Sequence, residues 1–399
     1  MSDEVLADGV LRTRDDGLLE AFLPSPAVQA HAANLAFLPG GDLGCVWFGG
    51  TQEGVADISV WFSRRPDDAT SPWSQPVALS DDPARSEQNP VLFVAPDGLL
   101  WLFWTAQHAG NQDTAIVRAR TSADGGTTWG PQRDLLVKDG EGVFVRQVPV
   151  VLPDGRWVLP TFACVPVPGE AWVGDHDTSS VWVSPDAGAT WTELSVPDSV
   201  GAVHMNIVEP GPAGAYTAYY RSRWADHVYR STSADALSWV PPEPTELPNN
   251  NSSVQALRLA DGRVAMVLNE ASRLDAVGRR TSLYDEVDDD GLVEGAAPSV
   301  VEVSGQEDAR RAFWGAPRAP LTLAVSDDDG VTWPHRRVLA DGDGFALSNN
   351  SRDGLNRELS YPSLAQAPDG TVHVAFTHHR KAIRHVRVPL GAVPGADRT

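Results

Sequence analysis

The chain has 399 residues, of which 42% are hydrophobic, and a formal charge of −22 at pH 7. This charge argues against nucleic acid and anionic membranes as partners, because their phosphates would be repelled. Its 35 glycines and 31 prolines predict many short strands joined by turns, and no stretch shows sustained helical periodicity.

The start of the chain and its cysteines indicate where the protein is found. The segment Met1–Gly9 has neither the basic nor the apolar region of a signal peptide, and no run of about 18 apolar residues occurs. Cys45 and Cys164 both lie in apolar, strand-like runs, where we expect buried thiols rather than a disulfide. We therefore expect a cytoplasmic protein without a membrane span.

A turn followed by an apolar strand recurs six times along the chain. The turns begin at Pro39, Pro96, Pro153, Pro210, Ala260 and Pro368, so their spacings are 57, 57, 57, 50 and 108 residues. The flanking apolar runs are short and bounded by turns, which indicates buried strands rather than helices. A period in the fifties with about four short strands per unit predicts an all-β, six-bladed β-propeller formed by the whole chain, residues 1–399.

A second motif, Ser-x-Asp-x-Gly-x-Thr-Trp, is interleaved with these turns. Full copies begin at Ser122, Ser184 and Ser326, and a worn copy begins at Ser233. The aspartate can accept backbone N–H bonds within its own turn, the glycine can take a positive φ, and the tryptophan offers an apolar face for packing. Tandem β-sandwiches are the alternative fold, but sandwiches do not place a tryptophan-bearing turn at this period.

One long insertion, approximately residues 271–317, interrupts the regular spacing of the turns. It accounts for the 108-residue gap and contains an acidic segment around Tyr284 as well as Phe313 and Trp314. Excursions of this length are usually functional loops or disordered ones. Its acidic composition favours a solvated loop, whereas the two aromatic residues favour a lid that packs on something apolar.

Candidate functional residues are polar side chains beside the predicted strands. Because a propeller places its ligand at one mouth of the central channel, we expect site residues to be scattered in sequence. The candidates are His31, Glu53, Asp57, Arg146, His204, Asn206, Arg221, Arg318, Glu358 and Tyr361. Each alone has a structural explanation: an arginine can pair with a surface carboxylate, and a histidine or tyrosine can be a hydrogen-bonded core residue.

Their shared position is the stronger argument. Ring closure would bring these strand ends together, and an arginine cluster in so acidic a chain requires an anionic partner. We therefore predict one pocket in which Arg146, Arg221 and Arg318 bind the anion. The motif repeats are expected to lie away from this pocket, with Asp124, Asp186 and Asp327 or Asp328 only stabilising turns.

The Ser-x-Asp-x-Gly-x-Thr-Trp repeats resemble the Asp-boxes of the sialidase superfamily of six-bladed propellers, over roughly residues 29–388. Sialidases use a tyrosine nucleophile, a glutamate that helps to ionise it, an aspartate acid/base and three arginines on the substrate carboxylate. The resemblance implies that Tyr361 is the nucleophile and that Arg221 and Arg318 are the second and third arginines. Asp57, or less well Glu53, lies near the place of the acid/base.

The sequence also departs from the family pattern. His31 stands in the place of the first arginine, which Arg146 could supply from another blade. His204 stands where the tyrosine-assisting glutamate is expected, and Asn250–Ser253 contains no carboxylate. A tyrosine without its glutamate is a poor nucleophile near neutral pH.

Three functions fit these residues. The first is exo-acting hydrolysis of an acidic sugar, with Tyr361 attacking, Asp57 or Glu53 protonating the leaving oxygen, and Glu358 and Asn206 helping to bind. The second is β-elimination from a uronic-acid glycan, with His204 or His31 as base and Tyr361 as acid. The third is a non-catalytic glycan-binding propeller, although lectin-like propellers repeat one site in every blade.

The expected partner is thus an anionic carbohydrate, and no cofactor or transition-metal site is predicted, since the histidines lack ligand spacing. The sequence leaves open the sugar, the linkage, a loop-bound calcium and the oligomeric state.

Overall fold

The computed structural model describes residues 6–395 except for 212–213, 285, 289–290, 294–297, 304–309 and 351–352. Its regular structure is almost entirely β; the described helices are two single 3₁₀ turns, Arg273–Asp275 and Leu390–Ala392. None of the helices in the described part of the chain has the length and apolarity needed to cross a membrane. Cys45 and Cys164 are both buried free thiols, as predicted.

The strands form six blades, as the turn repeat predicted. Two short strands, β1 (Arg12–Thr13) and β2 (Leu19–Phe22), come first. Blade 1 contains β3 (Gln29–Phe37), β4 (Leu43–Gly50), β5 (Ser59–Arg65) and β6 (Val77–Ala78). Blade 2 contains β7 (Ser86–Val94), β8 (Leu100–His108), β9 (Asn111–Ser122) and β10 (Arg133–Leu136). Blade 3 contains β11 (Gly142–Val145), β12 (Val150–Val151), β13 (Trp157–Cys164), β14 (Thr178–Ser184) and β15 (Thr192–Ser195).

The second half of the ring contains the insertion. Blade 4 contains β16 (Ala202–Val208), β17 (Tyr216–Ser222), β18 (His227–Ser233) and β19 (Glu243–Pro248). Blade 5 begins with β20 (Gln255–Arg258) and β21 (Val264–Asn269). The insertion then adds β22 (Arg279–Arg280), β23 (Val287–Asp288), β24 (Gly291–Leu292) and β25 (Val300–Val301). Blade 5 ends with β26 (Leu321–Ser326) and β27 (His335–Ala340), and blade 6 contains β28 (Leu359–Gln366), β29 (Val372–His378) and β30 (Ala382–Val388).

The two ends of the chain close the ring in blade 6. Its strand order is β1-β2-β30-β29-β28, and β2 pairs antiparallel with β30 from Leu19↔Arg387 to Phe22↔Arg384. Strands from near both ends of the chain thus meet in one blade. Because the chain runs from β2 directly into blade 1, this pairing ties the first blade of the ring to the last.

The apolar core is divided among the interfaces between neighbouring blades. Between blades 1 and 2, for example, Val46 and Phe62 pack with Leu102 and Trp104. Equivalent clusters join the other neighbouring blades, including blade 6 to blade 1 through Ala375 and Trp47. Each fully buried large apolar side chain contributes about 1.5–3 kcal/mol, so the blades depend on one another for stability.

The Ser-x-Asp-x-Gly-x-Thr-Trp motifs form the turns that were predicted. In the first, Asp124 accepts from Ser122 Oγ at 2.8 Å, Thr128 N at 2.8 Å and Thr128 Oγ1 at 2.6 Å. In the last, the box aspartate is Asp328, which accepts from Thr332 N at 2.8 Å. The glycine is required there, because a Cβ on Gly330 would lie 1.6 Å from the Tyr219 hydroxyl.

Four inner strands share a β-bulge near their start. One extra residue is inserted between His31/Asn34 in β3, Gln88/Val91 in β7, Val203/Asn206 in β16 and Ser360/Ser363 in β28. At each bulge one residue has positive φ: Ala32 (58°), Asn89 (49°), His204 (55°) and Tyr361 (52°). Bulges re-aim side chains, and these four residues therefore occupy one equivalent position in four blades.

Candidate functional site

A buried pocket lies where the bulged ends of the inner strands meet. All six blades or their loops contribute to its lining, which consists of Glu53, Asn89, Gln112, Phe144, Phe162, His204, Arg221, Arg223, Leu283, Trp314, Arg318, Tyr361 and Arg380. About 20 Å³ of this pocket is open to water, which is room for about one water molecule. A sugar ring therefore fits only after part of the lining has moved.

Tyr361 is held in the pocket by groups from three other blades. Its positive φ of 52° is uncommon for a tyrosine and is imposed by the bulge of β28. Arg221 Nη1 donates to its hydroxyl at 2.5 Å. Arg221 is fixed in turn through Nε to Asn251 Oδ1 at 2.7 Å. The centroid of the His31 ring lies 4.3 Å from that of Tyr361.

Two buried carboxylates and two arginines form a chain beside Tyr361. Glu358 accepts from Arg318 Nη1 at 2.8 Å and from Arg380 Nε at 2.7 Å. Arg380 Nη1 also donates to Glu53 Oε2 at 2.5 Å. Burial raises the pKa of Glu358, but Arg318 and Arg380 outweigh it and hold that pKa below its usual range. Burial opposes the charge of Arg380, but the two glutamates raise its pKa above the usual value.

The site carries more positive than negative charge. Among the described residues around Tyr361, the buried guanidinium groups outnumber the buried carboxylates by two. The guanidinium groups are those of Arg146, Arg221, Arg223, Arg318 and Arg380, and the carboxylates are those of Glu53, Asp177 and Glu358. Within the described residues, no carboxylate lies within 4.0 Å of Arg146 or Arg221. Burial lowers the pKa of each to about 10, so both stay cationic at neutral pH. An anionic ligand would relieve this imbalance.

The two candidate histidines are neutral. Burial, with Arg221 and Arg223 nearby, holds the pKa of His204 well below its usual value, and burial with Arg380 does the same for His31. His204 lines the pocket, and its Nε2 lies 3.4 Å from Arg221 Nη1. His31 Nδ1 instead contacts Thr377 Oγ1 at 2.8 Å and Glu358 Oε1 at 3.3 Å behind the lining.

Of the residues that the sequence singled out, five line the pocket: Glu53, His204, Arg221, Arg318 and Tyr361. Glu358 and His31 contact this set without lining it. Arg146, predicted to bind the anion, donates instead to the carbonyl oxygens of Ala33, Tyr361 and Pro362 at 3.1–3.3 Å. It supports the bulges of blades 1 and 6 from within the protein.

The structure does not bring the other two candidates to the pocket. Asn206 Oδ1 accepts from the backbone N of Ala256 at 2.5 Å, which ties blade 4 to blade 5. Asp57 is exposed, and its carboxylate accepts from Thr51 N at 3.1 Å within its own loop. Of the two carboxylates considered for the acid/base, only Glu53 lines the pocket.

Sequence reasoning missed several lining residues, notably Asn89, Gln112 and Arg380. Asn89 could have been found, because it precedes Arg146 by one 57-residue period and follows Ala32 by another. Arg380 lies in the β29–β30 hairpin, the counterpart in blade 6 of the blade 4 hairpin that follows Arg221. Residues at the end of the second strand of a blade, or in the hairpin that follows it, were thus the ones to consider as pocket-lining residues.

The insertion covers the pocket. Its residues Leu283 and Trp314 line the pocket and Tyr284 contacts the lining residue Gln112, and we call these three residues the roof. Trp314 Nε1 donates to the carbonyl oxygen of Val173 at 3.0 Å, and its ring lies 5.0 Å from the guanidinium carbon of Arg223. The Tyr284 hydroxyl accepts from Gln112 Nε2 at 2.7 Å. Tyr284 and Trp314 of the insertion therefore pack against the site. Residues 285, 289–290, 294–297 and 304–309 of this segment lie outside the described part of the chain.

Within the described residues, no group of three histidine, cysteine, aspartate or glutamate side chains is arranged to hold a metal ion.

The family model of the BNR repeat-like domain matches residues 41–374. No curated protein sequence matches the chain.

Several solved structures have the same fold at low sequence identity. A Hadza microbial sialidase is 15% identical, with a TM-score of 0.63 over 92% of this chain and 67% of its own. The leech intramolecular trans-sialidase is 13% identical, with a TM-score of 0.60 over 92% of this chain and 69% of its own. A protein of unknown function from Dyadobacter fermentans is 15% identical, with a TM-score of 0.62 over 96% of this chain and 98% of its own.

Proposed function

Because the chain belongs to the BNR repeat-like domain family and has the six-bladed fold of the sialidases, we propose that it is a sialidase-like glycoside hydrolase acting on a terminal acidic sugar. The observation that carries this proposal is the excess of buried positive charge around the Tyr361 hydroxyl. Arg221 lacks a carboxylate partner within the described residues and donates to that hydroxyl at 2.5 Å.

The arginines would bind the carboxylate of the sugar. Arg221, Arg318 and Arg380 all line the pocket, and guanidinium groups match the planar geometry of a carboxylate. Glu358 fixes Arg318 and Arg380 relative to each other. With water excluded by the roof, these charges act in a medium of low dielectric constant, where their attraction for an anion is strong.

Tyr361 would be the nucleophile. The Arg221 N–H would stabilise negative charge on the phenolic oxygen, and His204, which lines the same pocket, would accept the hydroxyl proton. The oxygen would attack the anomeric carbon while the bond to the leaving oxygen breaks. Glu53 would donate a proton to that oxygen. In the second step Glu53 would take a proton from water, which attacks the same carbon and releases Tyr361. The phenolic oxygen would then take its proton back from His204.

The position of Glu53 suits this role only when substrate is bound. Its carboxylate is paired with Arg380 at 2.5 Å. A substrate carboxylate beside Arg380 would compete for that guanidinium and free the Glu53 carboxyl to carry a proton.

A second candidate, β-elimination from a uronic-acid glycan, is favoured by His204 at the bulge of blade 4. There the arginines would neutralise the uronate carboxylate, His204 would remove the C5 proton, and Tyr361 would donate its proton to the leaving oxygen. A repeated lectin site is disfavoured, because the equivalent bulge residues Ala32, Asn89, His204 and Tyr361 all differ.

Incubation with sialosides and with uronic-acid oligosaccharides tests both functions. A hydrolase releases a reducing sugar without new absorbance near 230 nm, whereas a lyase produces that absorbance through its unsaturated product. Release of neither product from any acidic glycan would contradict both enzymatic functions.

A further inference from the structure

The pocket has two chemically different walls. Arg221, Arg318 and Arg380 from blades 4 to 6 form the cationic wall. Opposite in the ring, blade 2 contributes Asn89 and Gln112 to the lining, and Gln107 contacts the same Tyr284 hydroxyl as Gln112. We call these three side chains, each of which is at least 94% buried, the amide wall. Amide groups carry no net charge but offer both donors and acceptors.

The amide wall presents an unpaired acceptor to the pocket. Asn89 lines the pocket, and its Oδ1 is buried without a hydrogen bond from any residue that the structure describes. Leaving a buried acceptor unsatisfied is unfavourable, so the unpaired Asn89 Oδ1 requires an explanation. A ligand that donates a hydrogen bond from within the pocket would satisfy it.

The backbone alone does not explain the asparagine at position 89. Its φ of 49° is tolerated by asparagine, but the equivalent bulge residue of blade 1, Ala32, has a φ of 58°. Because alanine adopts this backbone conformation in blade 1, the conformation by itself does not require an asparagine in blade 2. The polar side chain of Asn89 is an additional feature, and it faces the pocket.

The amide wall already binds a hydroxyl group. The Tyr284 hydroxyl of the roof accepts from Gln112 Nε2 at 2.7 Å and from Gln107 Nε2 at 3.4 Å. When the roof moves to admit a ligand, these two amides are free to bind a hydroxyl of that ligand.

Resting on the proposed function, we propose that Asn89 and the amide wall bind the hydroxyl groups of the sugar acid whose carboxylate is bound by the arginines. Asn89 is then a specificity-determining residue, which selects polyhydroxylated acids over plain carboxylates. The distinction arises because a plain carboxylate leaves the amide acceptors unpaired.

The test measures binding of two kinds of carboxylate to the whole protein by calorimetry. The probes are D-glucuronate, D-galacturonate and N-acetylneuraminate on one side and cyclohexanecarboxylate on the other. We expect at least one sugar acid to bind about tenfold more tightly than cyclohexanecarboxylate, the factor typical of one or two satisfied hydrogen bonds. Asn89→Gly, which keeps the positive φ, should abolish this preference and leave the Kd of cyclohexanecarboxylate unchanged.

The outcomes separate this inference from the function on which it rests. If Asn89→Gly retains the full preference, the amide wall does not select hydroxyl groups, although the proposed function stands. If the wild-type protein prefers no sugar acid over cyclohexanecarboxylate, the inference is also wrong. If it binds no carboxylate at all, the proposed function fails and the inference falls with it. Unchanged binding of cyclohexanecarboxylate by the variant shows that it is folded.

Discussion

Arg221 of blade 4 donates a hydrogen bond to the Tyr361 hydroxyl of blade 6 at 2.5 Å, across 140 positions of sequence. Between them, Asn251 of blade 5 accepts from the same guanidinium at 2.7 Å. The phenolic oxygen is therefore placed by three successive blades. Its position depends on ring closure, because no local segment contains more than one of these groups.

Removing the Tyr361 hydroxyl should abolish turnover and spare binding. Tyr361→Phe keeps the ring that packs against His31 but loses the oxygen bonded to Arg221. We expect kcat to fall by at least about 10²-fold with KM changed less than about threefold, the pattern of a group that acts in the transition state. Steady-state kinetics on the substrate identified above give both values.

Tyr220→Phe is the matched control. The Tyr220 hydroxyl is also buried, but it has no hydrogen-bond partner among the residues that the structure describes, and Tyr220 does not line the pocket. Its variant should keep the wild-type kcat, and an equal fall in both variants would mean that Tyr361 acts through packing alone.

Neutralising Glu358 should destabilise the protein and make its stability sensitive to anions. Glu358→Gln leaves Arg318 and Arg380 without their shared carboxylate, and breaking a buried ion pair in this way costs about 3–5 kcal/mol. A small anion can then bind between the arginines and restore part of the loss. Urea unfolding with and without chloride measures both effects.

Glu87→Gln controls for burial. Glu87 is fully buried and accepts from Trp104 Nε1 at 2.8 Å in blade 2, away from the pocket. It should lose stability without gaining more from chloride than the wild-type protein does. The same chloride response in both variants would show that Glu358 does not sit at an anion site.

A methyl group on Gly54 should loosen the roof. The ideal Cβ at this position lies 2.7 Å from the ring of Tyr284, and φ is +96°. Gly54→Ala should therefore displace Tyr284 and speed chymotryptic cleavage after that residue by at least about tenfold, because cleavage follows local opening. Mass spectrometry of timed digests identifies the cut.

Gly98→Ala separates the clash from the backbone strain. Gly98 also has a positive φ, of +83°, but no atom lies within 4 Å of its ideal Cβ. Cleavage after Tyr284 should be as slow in this variant as in the wild-type protein. Equally fast cleavage in both would show that general destabilisation, not the roof contact, is responsible.

The closing blade should lose stability in acid through two stacked histidines. His373 Nδ1 and His385 Nε2 are 3.0 Å apart, and Trp73 Nε1 donates to His385 Nδ1 at 3.3 Å. Burial lowers the pKa of His373 to about 3, with Arg387 and Arg65 acting in the same direction against Asp369. His373 Nε2 also lies 3.3 Å from Asp67.

Because the folded pKa lies below the unfolded value of about 6.5, the unfolded state binds more protons between these two values. The contribution of neutral His373 to the free energy of unfolding is therefore fully present above about pH 6.5. It is lost as pH falls toward 3, at about 1.4 kcal/mol per pH unit. His373→Asn should flatten the dependence of unfolding free energy on pH between 6.5 and 4.5. The exposed His227→Asn should not, and equal slopes in all three proteins would contradict the prediction.

The repeats of the sequence were sufficient for the fold. A 57-residue spacing and the motif around Asp124 encode blades and turns through local chemistry, namely short apolar strands, Asp-Gly turns and packed tryptophans. Local signals also placed Tyr361, His204 and Arg221 at strand ends that meet, because every blade repeats the same radial order. The β-bulge repeats with it, which is why Ala32 and Asn89, the bulge residues of blades 1 and 2, are 57 positions apart.

Only the tertiary structure decided what each of these polar side chains faces. Asn89 and Asn206 both lie on bulged inner strands, yet the first lines the pocket and the second accepts from Ala256 of the next blade. Arg146 donates to backbone carbonyl oxygens. Arg380 instead bridges Glu53 and Glu358, although its hairpin carries no distinctive sequence motif. Whether a buried polar group meets a ligand or a neighbouring strand depends on contacts between blades distant in sequence, and no local pattern encodes those contacts.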